Sequence, residues 1–489
     1  MVMGDEEKKV LDNLFYPRSV AVVGVSADEN AFGTLYLKAL LKFGFKGKLY
    51  PVNPRGGSLQ GLTVYPTVGD IPDTVDLAAI SIPGRAVASC LESCVAKDIK
   101  VAMVLSAGFS ESGEVGKRLE GELSNVIAKG VRVLGPNCFG IYCPRSGLTV
   151  LPGSSFPQES GPVGLVTQSG QFSEMIVLQS RGMGIRYSKV ISYGNALDLN
   201  EADFFEYLTN DSETKIIAAY VEGVKEGRRF MEAVRRASKV KPVLIWKGGL
   251  TKAGGRMASS HTGSLAGDEA VWDTFFTQSG AIRVDSIDDL IDSMLAFIHL
   301  PPNCGRRVAL LSGSGGSAVI GADACERAGV ELPPFSTEVQ QKISSLLPPI
   351  GTGVRNPVDL ADPHPPMRVL APVLETVAAS GQVDVMLLGR MFLSVRGPTL
   401  VLGLPKSYEQ GREELRDLPL KIKEKFGTAM VMVLGEEVTD PEMVEFEGDR
   451  RDLRHYYLTH GIPVYPTVER AVRALARVIE YQERRRQRN

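Results

Sequence analysis

The chain reads as a three-domain α/β protein built on mainly parallel, doubly wound sheets. Three observations predict this. Apolar strand-like runs alternate with amphipathic helix-like runs through nearly all of its 489 residues, the pattern of βα units. That length exceeds what one hydrophobic core holds and suggests about three domains. Finally, each of three blocks opens with a buried-type strand running into small residues and then a helix: "VAVVGVSA", "VGLVTQSG" and "VALLSGSGG".

The first block, residues 1–145, holds the strand-like segments "SVAVVGV", "GKLYPVNP", "DLAAISIP", "KVAMVLSAGF" and "VRVLGPNCFG". Helical stretches such as "TLYLKALLKFG" and "VGKRLEGELSNVIAKG" separate them, giving a Rossmann-like domain. The stretch 144–162, "PRSGLTVLPGSSFPQESGP", breaks the rhythm with Pro, Gly and Ser and reads as a connection. A second block, 160–300, carries "VGLVTQSG", "YSKVISYGN", "KIIAAYVEGV", "KPVLIWKGG" and "AIRVDS". "LPPNCGRR" marks another boundary. The third block, 306–489, runs from "VALLSGSGG" through "VDVMLLGRMF" and "TAMVMVLGEEV" to a closing amphipathic helix.

Composition excludes several classes. Net charge is −2, so no broad basic field for nucleic acid is present. No run of about 18 apolar residues predicts a membrane span. The acidic start "MVMGDEEKKV" lacks the apolar core of a signal peptide. The six cysteines show neither zinc spacing nor a disulfide framework. A cytoplasmic protein is expected, and no metal site is predicted.

In a doubly wound sheet the strand-to-Gly/Ser turn lies at the carboxyl edge, where ligands bind. The following helix offers free N–H groups and the positive end of its dipole, an anion site. In the first such turn Ser26 replaces the second glycine of a dinucleotide fingerprint, while Gly24 and Gly33 remain. "KLYPVNPRGG" ends in Asn53, Pro54 and Arg55 rather than the acidic residue that binds an NAD ribose. NAD is disfavoured; a ligand with extra phosphate, NADP included, suits Arg55.

One of only five histidines, His261, stands in "KGGLTKAGGRMASSHTGSLAG", flanked by Ser259, Ser260, Thr262, Gly263 and Ser264. The stretch predicts a long, permissive loop: either a surface linker or a catalytic segment with a nucleophilic imidazole. Glu222 directly follows an apolar strand in "YVEGVKEGRR". It is either an ordinary strand-end carboxylate or the partner that fixes the tautomer of His261.

"ASSHTGSLAGDEAVWDTFFTQSGAIRV", with "GPNCFG", "GLVTQSG", "YVEGV" and "NPVDL", resembles the NDP-forming acyl-CoA synthetases, relatives of succinyl-CoA synthetase. The likeness covers nearly the whole chain and is closest to the α subunits of ADP-forming acetyl-CoA synthetases. It implies a CoA-binding domain, a flavodoxin-like ligase domain with a phosphohistidine loop, and a second ligase-like domain. The implied reaction is acyl-CoA + ADP + phosphate ⇌ acid + ATP + CoA. By matching motif, His261 would be phosphorylated and Glu222 would orient it. Gln168, Ser169 and Gly170, with Ser314, Gly315 and Gly316, would hold the phosphoryl group. Gly24, Ser26, Asn53, Pro54 and Pro83 would line the CoA site, and Gly108, Phe109 and Asn137 would lie near the acyl group.

No segment resembles an ATP-grasp module. The resemblance therefore implies a separate β subunit holding ADP/ATP and Mg²⁺, in an α₂β₂ assembly acting on a small carboxylic acid and acyl-CoA. The competing readings are a non-catalytic CoA sensor or scaffold, which needs no phosphorylatable histidine, and a relative of the protein acetyltransferases, for which no acetyltransferase module is present.

Overall fold

A computed structural model describes residues 3–150, 155–262, 269–362, 365–389, 412–435 and 439–488; the side chains at 258–262, 412 and 488 lie outside that description. The described chain forms two compact units, one of residues 1–181 with 185–290, the other of 182–184 with 291–489.

The first unit holds two sheets. The first sheet runs, in spatial order, Lys48–Val52, Ser19–Val23, Leu77–Ile80, Val101–Val104 and Arg132–Leu134, all parallel. Ser19–Val23 and Leu77–Ile80 are buried at every position, as befits strands covered by helices on both faces. The second sheet runs Ile282–Val284, Val243–Lys247, Ile216–Val221, Val163–Thr167, Tyr187–Ser192 and Gly140–Tyr142. Its strands are parallel except Gly140–Tyr142, which joins the edge antiparallel to Tyr187–Ser192. That edge strand falls inside the range expected for the first block, yet it pairs in the second sheet. One hydrophobic cluster spans both sheets, from Val20, Val22 and Leu37 to Val166, Ile191 and Phe204. Arg132 stitches them further, its Nε lying 2.9 Å from Asp198.

The second unit has one parallel sheet in the order Val358–Asp359, Val308–Ser312, Val385–Gly389, Ala429–Val433 and Val464–Tyr465. The closing helix Val468–Arg488 buries Ala471, Val472, Leu475, Val478 and Ile479, the face its periodicity predicts. Arg470 and Arg477 of that helix reach Asp292 and Ser293 of the helix Ile287–His299. From residue 291 onward, then, this helix belongs with the third block, although the Pro301–Pro302 punctuation suggests a later boundary.

In each sheet the first strand of the block is flanked by its second strand on one side and its third-laid neighbour on the other. The chain reverses direction there. Such a switch point opens a crevice at the carboxyl ends of the two central strands. All three Gly/Ser turns of the sequence sit at these crevices.

Candidate active site

The second sheet's switch point lies between Val163–Thr167 and Ile216–Val221. The residues that follow these strands are Gln168–Gly170 and Glu222, which brings the two motifs together. Gln168 Oε1 accepts the main-chain N–H of Glu222 at 2.8 Å and that of Gly223 at 3.0 Å. The Gln168 side-chain oxygen is thereby committed to shaping the Glu222 turn. Ser169 caps the helix Gly170–Arg181, its Oγ accepting Phe172 N–H at 3.4 Å. Gly170 is required because a Cβ there would lie 2.4 Å from the Phe139 ring. The helix N-terminus therefore faces the crevice, an anion site beside a carboxylate.

Tyr220 and Glu222 project from the same side of their strand, two residues apart. The Tyr220 hydroxyl hydrogen-bonds the Glu222 side chain, and burial together with that charge pushes its pKa well above the usual tyrosine range. The Tyr220 ring is held between Phe172 and Trp246, with centroids 4.5 and 4.8 Å away. Gly248 must be a glycine here, since a Cβ would meet the Tyr220 hydroxyl at 2.6 Å. Lys247 Nζ donates to the carbonyl of Glu222 at 2.8 Å.

The segment expected to be a long loop around His261 is largely helical, over Lys252–Thr262. Thr251 starts it, its Oγ1 accepting Gly254 N–H at 3.1 Å. Lys252, Ala253, Arg256, Met257 and Ala258 are good helix formers and outweigh the cost of Gly254 and Gly255. His261 stands in the last turn of this helix; its side chain, and residues 263–268, lie outside the described residues.

In the first sheet, Gly24 and Ser26, Asn53 and Pro54, and Pro83 follow the carboxyl ends of three adjacent parallel strands. Gly24 has φ of +100°, and a Cβ on it would lie 2.0 Å from Ser81 O. Ser26 N–H donates to Thr34 Oγ1 at 2.9 Å. Asn53 Nδ2 reaches Val25 O at 2.5 Å, joining the first two turns. Pro54 and Pro83 are exposed along this edge.

Of the residues expected near the acyl group, Phe109 has its side chain turned away. Phe109 is fully buried in the core of the first sheet, so its ring offers a substrate nothing. The N–H groups of Gly108 and Phe109 both donate to Glu111 Oε1, at 2.6 and 3.0 Å. Asn137, at φ +56° after Pro136, donates to Asn195 Oδ1 at 3.3 Å. Asn195 Nδ2 in turn reaches Glu111 Oε2 at 2.6 Å and Glu120 Oε1 at 2.9 Å. Lys225 Nζ donates to the carbonyls of Asn195 and Ala196. Burial pushes the Glu111 carboxyl up, but Asn195 and the two amides outweigh it and hold it below the usual range. Sequence reading missed Glu111, Glu120, Asn195 and Lys225. The one signal was the "YGN" turn after the strand Tyr187–Ser192.

In the second unit, taken by itself, Ser314 caps the helix Gly315–Arg327, its Oγ accepting Ser317 N–H at 3.4 Å. A Cβ on Gly315 would lie 2.9 Å from Asp359 Oδ2, while Gly316 faces open space.

The chain is similar to known proteins. Residues 18–144 match the family model of a CoA binding domain, 160–297 that of a succinyl-CoA ligase like flavodoxin domain, and 308–409 that of a Ligase-CoA domain. The α subunit of acetate–CoA ligase [ADP-forming] I of Pyrococcus furiosus is 40% identical over 358 residues, 72% of this chain and 76% of that one. Acetate–CoA ligase [ADP-forming] II of Archaeoglobus fulgidus is 32% identical over 484 residues, 97% of this chain and 67% of that protein. The solved dinucleotide-forming acetyl-coenzyme A synthetase 1 of Ca. Korarchaeum cryptofilum, in complex with phosphate and ADP, superposes with a TM-score of 0.81 at 30% identity. That likeness covers 98% of this chain and 97% of the other. With a relative 40% identical over 72% of its length and three matching domain models, the chain belongs to the family of ADP-forming acetate–CoA ligases.

Proposed function

We propose that this chain is the CoA-binding, histidine-bearing part of an ADP-forming acyl-CoA synthetase, an acid–thiol ligase acting on acetyl-CoA or a similar small acyl-CoA. The observation that carries the reading is the pairing of Glu222 with the Ser169-capped helix at one switch point, in the sheet whose strand Val243–Lys247 leads into the helix that carries His261. Inorganic phosphate attacks the thioester carbonyl, the CoA thiolate leaves, and an acyl phosphate forms. Neutral His261 attacks the phosphorus and the carboxylate departs. ADP then takes the phosphoryl group from the histidine and becomes ATP. Glu222 accepts the N–H of the imidazole nitrogen that does not react, which holds the other nitrogen unprotonated and aimed. The N-terminus at Ser169–Gly170 stabilises the phosphoryl charge; in the second unit, taken by itself, the N-terminus at Ser314–Gly316 is a further candidate phosphate site. The crevice of the first sheet, from Gly24 to Pro83, holds CoA, and the Asn137 turn lies toward the acyl end.

Domains at 1–145, 160–300 and 306–489 serve these steps. Among the described residues no cluster of three His, Cys, Asp or Glu could hold a metal ion, and no step is routed through one on this chain. ADP and Mg²⁺ are assigned to an ATP-grasp β subunit in a cytoplasmic α₂β₂ complex; a relative that is itself named a subunit alpha supports such a partner. No described helix is long and apolar enough to cross a membrane.

The test is to incubate the chain with acetyl-CoA and radiolabelled phosphate and to map the label. A base-stable, acid-labile label on His261, lost in His261→Ala with the fold retained, is the expected result. Labelling undiminished in that variant would overturn the mechanism.

A further inference from the structure

Lys247 ends the strand Val243–Lys247 and is only 4% exposed. Lysines are almost never that deeply buried unless the ammonium is paired. Its Nζ donates to the main-chain carbonyl of Glu222 and to that of Gly248, and it lies 5.0 Å from the centroid of the Trp272 ring. The strand register pairs Val221 with Lys247, and Gly248 N–H donates to Val221 O at 2.9 Å. The ammonium thus crosses just past the last rung of the ladder and binds the next residue of each strand.

On the proposed mechanism the first of these residues, Glu222, orients His261 and the second, Gly248, leads into the segment that carries it. Glu222 is already fixed at its N–H by Gln168 and at its side chain by Tyr220. Lys247 fixes its carbonyl. Gly248 is the root of the segment that leads into the helix Lys252–Thr262 and His261. An apolar residue could fill the same space against Trp272, but it could not tie the two carbonyls together.

We propose that Lys247 is a positioning residue for phosphorylation of His261, holding the Glu222 strand end against the root of the histidine-bearing segment. This rests on the reading of His261 as the phosphoryl acceptor. Burial lowers the lysine pKa to about 8, against the opposing attraction of Glu222, so the ammonium is charged at neutral pH. Its bonds to carbonyls are then of the stronger, charge-assisted kind.

The experiment compares wild type, Lys247→Met, Lys247→Arg and His261→Ala, as full chains given acetyl-CoA and radiolabelled phosphate in a rapid-quench single turnover. CoA binding is followed by calorimetry and fold by circular dichroism. Lys247→Met should slow labelling on the order of a hundredfold, the cost of displacing a catalytic group by about 1 Å, at unchanged CoA affinity. Lys247→Arg keeps the charge and donors with altered reach, and should label at a rate between Met and wild type. Wild-type labelling by a folded Lys247→Met variant overturns the proposal. If the Met variant does not fold, Lys247→Arg decides alone: a slowed rate at unchanged CoA affinity supports positioning, and a wild-type rate overturns it. Should His261→Ala still be labelled, the histidine reading itself fails. Should it be unlabelled while Lys247→Met labels normally, only the role of Lys247 fails.

Discussion

Replacing Gln168 by leucine removes one oxygen that accepts two main-chain donors, Glu222 N–H and Gly223 N–H. Gln168 is 6% exposed, so water does not readily take its place. An orphaned buried donor costs about 1–3 kcal/mol, and two of them cost about 2–6 kcal/mol for the turn that aims Glu222. At about 1.4 kcal/mol per tenfold, the lower figure already opens this turn roughly thirtyfold more often. Amide hydrogen exchange read by mass spectrometry over the peptide spanning 216–224 measures that opening directly. Gln168→Leu should exchange there at least about thirtyfold faster, while peptides of the first sheet keep their protection, and His261 labelling should fall in parallel. Gln168→Glu supplies the control: its carboxylate still accepts both donors, so protection should return, but a second negative charge beside Glu222 keeps labelling slow. Unchanged exchange at 216–224 in the leucine variant would refute the view that Gln168 builds the turn.

Other expectations follow from the same geometry. Glu201 is 1% exposed with Oε1 unpartnered, and burial raises its pKa from 4.5 to about 7. The fold prefers the protonated acid, so this contribution is present below the unfolded value and is lost as pH rises to about 7, costing on the order of 3 kcal/mol; Glu201→Gln should flatten that loss in urea titrations at pH 5 and 8. Gly170→Ala forces its new methyl against Phe139 and should cost about 1–3 kcal/mol in a denaturant titration, part of which Phe139→Leu should recover. Glu222→Gln should slow labelling of His261 strongly and leave the CoA-induced rise in melting temperature untouched. CoA, unlike NAD or NADP, should raise that temperature in the wild type by mass action.

The strands are legible in the sequence because each is an uninterrupted apolar run, and that is how a strand buried on both faces must look. The three Gly/Ser turns are legible for a related reason: tight strand-to-helix turns admit few residue types. Other features stay hidden. The helix Lys252–Thr262 reads as a loop because two glycines weigh more in the pattern than the helix formers around them and the Thr251 cap. Phe109 is placed near the acyl group by the family resemblance alone, yet its side chain is fully buried in the core. The network of Glu111, Glu120 and Asn195 joins residues 75 and 84 apart in sequence, and no local pattern encodes such a meeting. The meeting of Asp292 with an arginine 178 residues away is hidden for the same reason.

That network also bears on how the proposed reaction is divided. The Gly108–Glu111 turn follows a strand of the first sheet, whereas Asn195 and Lys225 follow strands of the second. Asn195 touches Glu111, Glu120 and Asn137 at once, and a Cβ on the preceding Gly194 would lie 2.3 Å from Asn137 O. The turns on either side are therefore in direct contact, with no room for one sheet edge to slide past the other. Packed interfaces of this kind shift between discrete arrangements rather than deform gradually. On the proposed mechanism, the crevice that holds the thioester and the crevice that holds Glu222 then keep a fixed separation while acyl phosphate forms and is consumed. What must travel is the phosphorylated imidazole, and it is carried on a helix tied to this rigid unit at Gly248. A mechanism that instead moved the whole CoA domain between half-reactions would have to break the Asn195 contacts each turnover. Asn195→Ala should separate the two views in a rapid-quench assay of acyl-phosphate formation: it should accelerate a domain-moving enzyme, and it should slow one whose two crevices are held at a fixed distance.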